Sequence, residues 1–479
     1  MTRFSNPLFG IAFASVLLVS ACSDPGEPAP TSEAEASAFM MAGTAVTAEL
    51  QDLGDGQWAV ELQFDEPKTA MFFSRSLGDY RTQTWTPQRG SPAIERINGL
   101  DAMMFDTPTT SASYLITPYT DDIIGDYTPW LGFSDGSLAL YTGQFELLDG
   151  VDRDSIEALR GDLTAWTGEQ GELGVRIRTD KTMLFDGAIQ QSPLQTRTRG
   201  QGDYVMIGDT PLEEGTSFVG VIDDALPAQI SDSLDDDLAA IFSNYENAFG
   251  SKPQEKATLY FAFGGFDHPG FSFSGSVIGS DLIVMRVSGA ALKDYPPAIR
   301  QHILWFFAHE GAHIFQSLNG TMPSGAGAGA SWIHEGSANT MAVQSLLMLN
   351  AADDAYRLAD LKRAADTCAD GLVEGPLNTL AGQIHYDCGD VIFNMAAATL
   401  PDMSVFDVWK AIAEEARQTG AEDINAPLVF SVFDNLGVHE DVLIRIKEMV
   451  FQDLENPHLV IANGLRSAGL ELAEGANTE

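Results

Sequence analysis

Between about Thr44 and about Asp209 apolar and polar positions alternate in short runs. Trp58, Val60, Leu62 and Phe64 are interleaved with Ala59, Glu61 and Gln63, the period-2 signature of a strand with one buried face. Related runs recur at Ser137–Leu148 and Tyr204–Ile207, separated by Gly, Pro, Asp and Thr clusters. This pattern predicts a β-sandwich or a curved sheet. Near residue 228 the period changes. Ile230–Phe249 reads as a helix stopped by Gly250-Ser251-Lys252-Pro253, followed by a strand at Ala257–Phe263, a Gly-rich stretch and a second strand at Leu282–Val287. Pro296-Pro297 then leads into a helix predicted for Ala298–Leu318 and closed by Asn319-Gly320. The Gly/Ala-rich segment Thr321–Ala330 predicts a mobile loop. Beyond Ser331 nearly everything reads as helix, with breaks at Asp370-Gly371, Pro401 and Pro427. The expected class is α+β and multidomain, with a β-sandwich-like N-terminal domain and a C-terminal α-helical region.

The first residues carry a different signal. Arg3 precedes a short apolar run, Leu8–Val19, which falls below the roughly 20 residues of a membrane span. The run ends in Val19-Ser20-Ala21-Cys22, which resembles the lipobox of bacterial lipoproteins. That resemblance implies cleavage before Cys22, lipid on its sulfur, and a membrane anchor in the cell envelope. Ser23 after the cysteine leans the expectation towards the outer membrane, facing the periplasm or the surface. Residues 23–38, rich in Pro, Ala, Ser and acid, read as a flexible tether. Expected boundaries are 1–21 for the signal peptide, 22–43 for the tether, 44–215 for the β-rich domain, 216–345 for a catalytic domain and 346–479 for the helical domain. With 26 Lys+Arg against 68 Asp+Glu the formal charge is −42, which argues against nucleic acid as a partner because phosphate binding needs a basic face. If Cys22 carries lipid, Cys368 and Cys388 remain as an even pair, either bridged, as expected in an oxidising compartment, or two buried thiols.

The densest chemistry is His309-Glu310-Gly311-Ala312-His313, inside the predicted Ala298–Leu318 helix. Residues four apart differ by about 40° around a helix, so both imidazoles face one way and can share a zinc ion. Glu310 lies about 100° round from His309, beside the metal and free to take a proton from a metal-activated water. Given eight His in 479 residues, chance predicts only about 0.01 such matches. Trp332-Ile333-His334-Glu335-Gly336 follows one loop later on a new helix, with Ser331 as its expected N-cap.

Together these segments resemble the gluzincin zinc metallopeptidases, particularly the aminopeptidase N and glycyl aminopeptidase families. The resemblance implies a zincin (thermolysin-like) catalytic domain and a zinc ion held by His309, His313 and Glu335, with His334 the competitor for the third position. The 21 residues between His313 and Glu335 exceed the family spacing, and the Gly/Ala loop absorbs the difference. Tyr386-Asp387-Cys388-Gly389 looks like the Y-x-x-G segment of the same families, which implies that Tyr386 donates to the oxyanion of the tetrahedral intermediate. Tyr245–Pro253 followed by Ala257–Phe263 resembles the entry to that fold, with Leu282–Val287 as the sheet edge along which an extended peptide would lie. One departure stands out: the G-A-M-E-N stretch that holds a substrate's free amine in aminopeptidase N is missing from Phe273–Val287, so exopeptidase action is not inherited.

Among the other polar residues, Asn339 is a possible partner of a zinc-bound histidine, or simply polar surface. His268 and His385 flank the expected cleft and are candidate substrate contacts, His302 shares the helix face of His309, and His439 and His458 read as surface. The Asp235–Asp237 run reads as solvated helix. The function these features imply is hydrolysis of peptide bonds, endo or amino, by one zinc per chain with Glu310 as general base. Two alternatives are a non-catalytic binding lipoprotein on the same fold and a zinc hydrolase of a non-peptide substrate.

Overall fold

The computed structural model describes residues 40–123, 125–318 and 330–472; the signal peptide, Cys22, nearly all of the tether and loop residues 321–329 lie outside the described residues. The polypeptide from Met40 onward is one compact unit. Strands β1 (Val46–Asp52) and β2 (Trp58–Phe73) form an antiparallel hairpin, registered from Val46 opposite Phe64 to Asp52 opposite Trp58, and β2 pairs on its other side with β3 (Leu100–Ile116). Val46, Ala48, Leu50, Trp58, Val60, Leu62 and Phe64 are all buried on one face, as the alternation in the sequence requires. These strands belong to an eight-stranded sheet. A five-stranded sheet drawn from residues 130–207 covers its buried face, and Trp58 meets Trp130 there with ring centroids 5.2 Å apart. The run read as Ser137–Leu148 is divided: Leu138–Tyr141 is a strand of the second sheet, Thr142–Phe145 a 3-10 turn, and Leu147–Gly150 an addition to the first sheet.

A third sheet contains β4 (Phe218–Ile222), β5 (Ala257–Phe263), β6 (Ser272–Ile278) and β7 (Leu282–Ser288). Strands β4, β5 and β7 run parallel, and β6 is an antiparallel edge strand beside β7. Every residue of β5 is buried because the sheet is covered on both faces. Leu259, Phe261 and Phe263 face the helical core, whereas Tyr260 and Ala262 face Tyr141, Tyr204 and Met206 of the N-terminal region. This corrects one expectation. Leu282–Ser288 is paired on both sides, so the open edge belongs to Ser272–Ile278, within the Gly-rich stretch for which the sequence predicts no strand.

Helix α1 (Ala228–Phe249) buries Ile230, Leu234, Leu238, Ile241, Phe242, Tyr245 and Phe249 along one stripe and ends at Gly250, whose φ of 69° needs no Cβ. After α2 (Pro297–Leu318) and α3 (Ser331–Met348) come α4 (Asp354–Gly371) and α5 (Ile384–Ala398). Four more helices follow, to Ser467. Pro427 starts one of these as a first-turn residue behind the Asn425 N-cap. Among the described residues no helix is long and apolar enough to cross a membrane. Cys368 on α4 and Cys388 on α5, both fully buried, form a disulfide with Cα atoms 4.8 Å apart. Closing a 20-residue separation is worth about 3 kcal/mol on the chain-entropy account.

Helices α3 and α5 cross at backbone contact. A Cβ on Gly336 would lie 2.2 Å from Gly389 Cα, and a Cβ on Gly389 would lie 2.1 Å from Trp332 O. No side chain fits there, so both glycines are demanded by packing. Next to the crossing Asp390 is fully enclosed. Its Oδ1 accepts from Thr340 Oγ1 at 2.6 Å and from Asn394 Nδ2 at 2.9 Å, while Asp360, Arg363 and Asp387 are the charged groups around it. Burial, reinforced by the Asp360 charge, pushes its carboxyl up to about 8.

Two predictions follow from this packing. Gly389→Ala forces the helices apart and should cost roughly 1–3 kcal/mol or more of stability, read from chemical denaturation; unchanged stability would contradict the crossing. Because Asp390 is protonated in the folded chain at pH values where an unfolded aspartate is charged, its contribution is fully present below about pH 4 and is lost as pH rises through 8. The difference in melting temperature between Asp390→Asn and wild type should therefore shift in favour of the variant from pH 5 to pH 9, and parallel curves would refute the assignment.

Candidate metal centre

Helix α2 presents His309 and His313 on one face, with Nε2 atoms 3.1 Å apart. Glu335, in the second turn of α3, inserts Oε2 between them, 3.3 Å from His309 Nε2 and 3.2 Å from His313 Nε2. This oxygen is buried, and among the described residues its close contacts are the two imidazoles. Four ligands placed tetrahedrally at about 2.0–2.1 Å from a zinc ion stand about 3.3–3.4 Å from one another. The three donors thus lie within a few tenths of an ångström of the spacing zinc requires, and two neutral imidazoles with one carboxylate suit it chemically. The residues fit the group.

The surroundings orient His313 and Glu335 and anchor the backbone just before His309. Gln316, three residues after His313, faces His313 Nδ1 with Oε1 at 2.9 Å, so Nδ1 carries the proton and Nε2 is left with its lone pair. The Gln316 amide in turn donates to His334 O at 3.1 Å and Ser337 Oγ at 2.8 Å, tying α2 to α3. His334 is 3.2 Å from the other Glu335 oxygen, Oε1, and so steadies the carboxylate instead of taking its place. Tyr245 of α1 donates to Ala308 O, the carbonyl just before His309. Burial works against a charged Glu335, yet His313, His309 and His334 outweigh it and hold the carboxyl well below its usual range. For His313 burial disfavours the charged form, but the Glu335 carboxylate wins and raises the imidazole to about 9, so a zinc ion taking Nε2 must displace a proton there to leave the neutral ligand.

Glu310 points to the same spot from the adjoining direction. Its Oε2 accepts from Val277 N of the edge strand at 2.9 Å, and burial raises its carboxyl above the ordinary range against the pull of both histidines. Donor atoms of His309, Glu310 and His313 also lie within 4.8 Å of one another, but one Glu310 oxygen is engaged by β6 whereas Glu335 stands nearer both imidazoles. Tyr386, near the start of α5, stacks on His309 with centroids 5.8 Å apart and directs its hydroxyl to Glu335. Burial, together with the Glu335 and Glu310 charges, keeps that hydroxyl firmly protonated and therefore a donor.

Several expectations need correction. His385 is buried and committed to structure: Nδ1 accepts from Trp332 N at 3.0 Å and Nε2 donates to Leu380 O at 2.7 Å, so it does not face a substrate. It does for α3 what Ser331 was expected to do. Ser331 lies inside the helix, and the N-cap Ala330 offers no side-chain acceptor. Asn339 touches no histidine; its Nδ2 donates to Tyr386 O at 3.3 Å. His268 is half-buried and bonds Pro269 O and Ser288 Oγ, both at 2.9 Å, and Asp235 accepts from Thr216 N instead of being merely solvated. Residues missed in the sequence include Gln316, whose i,i+3 spacing from His313 was a usable signal, and Asp122, which no local pattern marks. The latter accepts from Ser274 Oγ at 2.7 Å and pairs with Arg286 at 3.1 Å, bringing the β-rich region onto the edge strand.

No protein-family model and no curated protein sequence matches the chain. Solved structures do. The chain aligns with an aminopeptidase N family protein from Idiomarina loihiensis at a TM-score of 0.57 and 13% identity, over 86% of this chain and 76% of that one. It also aligns with yeast LTA4 hydrolase in complex with bestatin (TM-score 0.47, 9% identity, 86% and 68% covered). An M1 zinc metallopeptidase from Deinococcus radiodurans aligns as well (TM-score 0.43, 12% identity, 85% and 94% covered). The first of these shows that the chain has the multidomain fold of an aminopeptidase N family structure, in line with the gluzincin resemblance of its motifs.

Removing one donor tests the centre. Glu335→Ala should no longer hold stoichiometric zinc through dialysis, and Gln316→Ala should weaken zinc about 10–100-fold in chelator competition. Stoichiometric zinc in Glu335→Ala would instead make His334 the ligand.

Proposed function

We propose that the chain is a zinc metallopeptidase of the gluzincin type, anchored by lipid at Cys22 to the periplasmic side of a bacterial envelope and acting on peptides there. The observation that carries this reading is the triangle of His309, His313 and Glu335 donors, 3.1–3.3 Å on each side, with Glu310 held beside it by the edge strand. When bound, zinc supplies a Lewis acid that polarises a carbonyl and makes water nucleophilic near neutral pH. Glu310 accepts a proton from the attacking water and returns it to the departing amine. Its raised carboxyl range suits that exchange, since a base works best near the operating pH. Tyr386, kept protonated, donates to the oxyanion as it forms. Strand β6 offers its free edge to an extended backbone, and the bond from Val277 N to Glu310 fixes the base relative to that edge.

Glu310→Gln keeps the shape and removes the base. Mass spectrometry of a defined peptide mixture should show cleavage by zinc-loaded wild type and a loss of about 10²–10⁴-fold in the variant, with zinc content equal. Full activity in Glu310→Gln would overturn the assignment, and the cut positions would show whether residues leave singly from the N-terminus.

A further inference from the structure

A continuous row of rings leads from the metal centre to the surface. Trp305 lies one turn before His309 on α2, with ring centroids 5.3 Å apart at 30°. His302, one turn earlier again, stacks on Trp305 at 5.8 Å. Phe273 of β6 meets His302 edge-on at 4.3 Å, and Phe271 lies against Phe273 at 5.9 Å. The spacing 302, 305, 309 puts the three helix members on one face. Burial disfavours the charged form of His302, which makes it a neutral ring in the row.

Core filling accounts for only part of this row: Phe271, Phe273 and Trp305 rest on the helical core without being enclosed by it. Phe306 and Phe307 on the same helix are enclosed, whereas Phe271, Phe273, His302 and Trp305 are each only partly buried. An aromatic wall left partly open within one helical turn of a metal ligand is a surface waiting for a partner. Continuity with the centre says which partner. Val277 N faces the cleft, so the backbone groups of Gly275 and Phe273, at the same parity, lie along the same open edge of β6. A peptide paired with that edge sets alternate side chains on the α2 side, over Phe273 and Trp305. The occupant is then the side chain of a residue flanking the scissile bond.

We infer that Trp305, Phe273, His302 and Phe271 form a specificity subsite for a large aromatic side chain next to the scissile bond, which makes peptides with an aromatic residue there the substrate class. This rests on the peptidase reading for the identity of the ligand, though not for its chemistry, since ring-on-ring contacts add attraction beyond the area buried.

The test measures binding as well as turnover. Zinc-loaded Glu310→Gln protein is titrated calorimetrically with an alanine-based hexapeptide and with variants carrying one phenylalanine at each position. One position should bind at least about tenfold tighter as phenylalanine than as alanine, Trp305→Ala in the same background should narrow that ratio below about threefold, and Trp305→Phe should restore most of it. Equal affinities at every position, or a ratio that survives Trp305→Ala in protein with native circular dichroism, would overturn the subsite. Cleavage of the same peptides by wild type is scored separately: aromatic-selective binding without any cleavage would remove the peptidase reading and leave the subsite standing.

Discussion

The architecture of the centre depends on how closely α3 and α5 approach. Gly336 and Gly389 meet at backbone contact, so Glu335, immediately before one glycine, and Tyr386, three residues before the other, are delivered to the same point above α2. A methyl group at either glycine would lie little more than 2 Å from opposing backbone. Such a contact cannot be relieved by turning a side chain; the helices would have to separate, and the centre would open with them. The disulfide between Cys368 and Cys388, one residue before Gly389, holds α4 against the same part of α5.

Around that crossing the buried charges are arranged so that few lack an opposite or a hydrogen bond. Glu335 lies among three imidazoles, Glu310 has a backbone N–H, and Asp390 gives up its charge and keeps two donors. The result is one carboxylate kept ionised, one raised towards the range useful for proton transfer and one neutral in the interior, three different states set by three environments. Glu310 and Glu335, adjacent in space, differ chiefly because imidazoles surround one and burial dominates the other.

Much of this was legible in the residues. The alternation at Trp58–Phe64 located a half-buried strand, the i,i+4 histidines marked one face of α2, and Trp332 to Gly336 marked the helix that carries Glu335 to that face. Strand β6 was not legible, because Ser272, Ser274, Gly275 and Ser276 have weak strand propensity and acquire strand structure by pairing with β7, a non-local event. The same applies to His385, whose polar atoms are both spent on backbone groups that only the tertiary fold brings near, and to Asp122, which arrives from a loop of the β-rich region. Local pattern finds donors that share a helix; it does not find those joined by packing.

The central claim, that this crossing assembles a zinc centre from His309, His313 and Glu335, is tested most directly by anomalous diffraction at the zinc edge from crystals of the zinc-loaded protein lacking residues 1–22. The account predicts a single strong peak within bonding distance, about 2.0–2.2 Å, of His309 Nε2, His313 Nε2 and a Glu335 oxygen, with Glu310 outside that distance. A peak ligated by His334 or by Glu310 in place of Glu335, or no ion between the two imidazoles at saturating zinc, would contradict it.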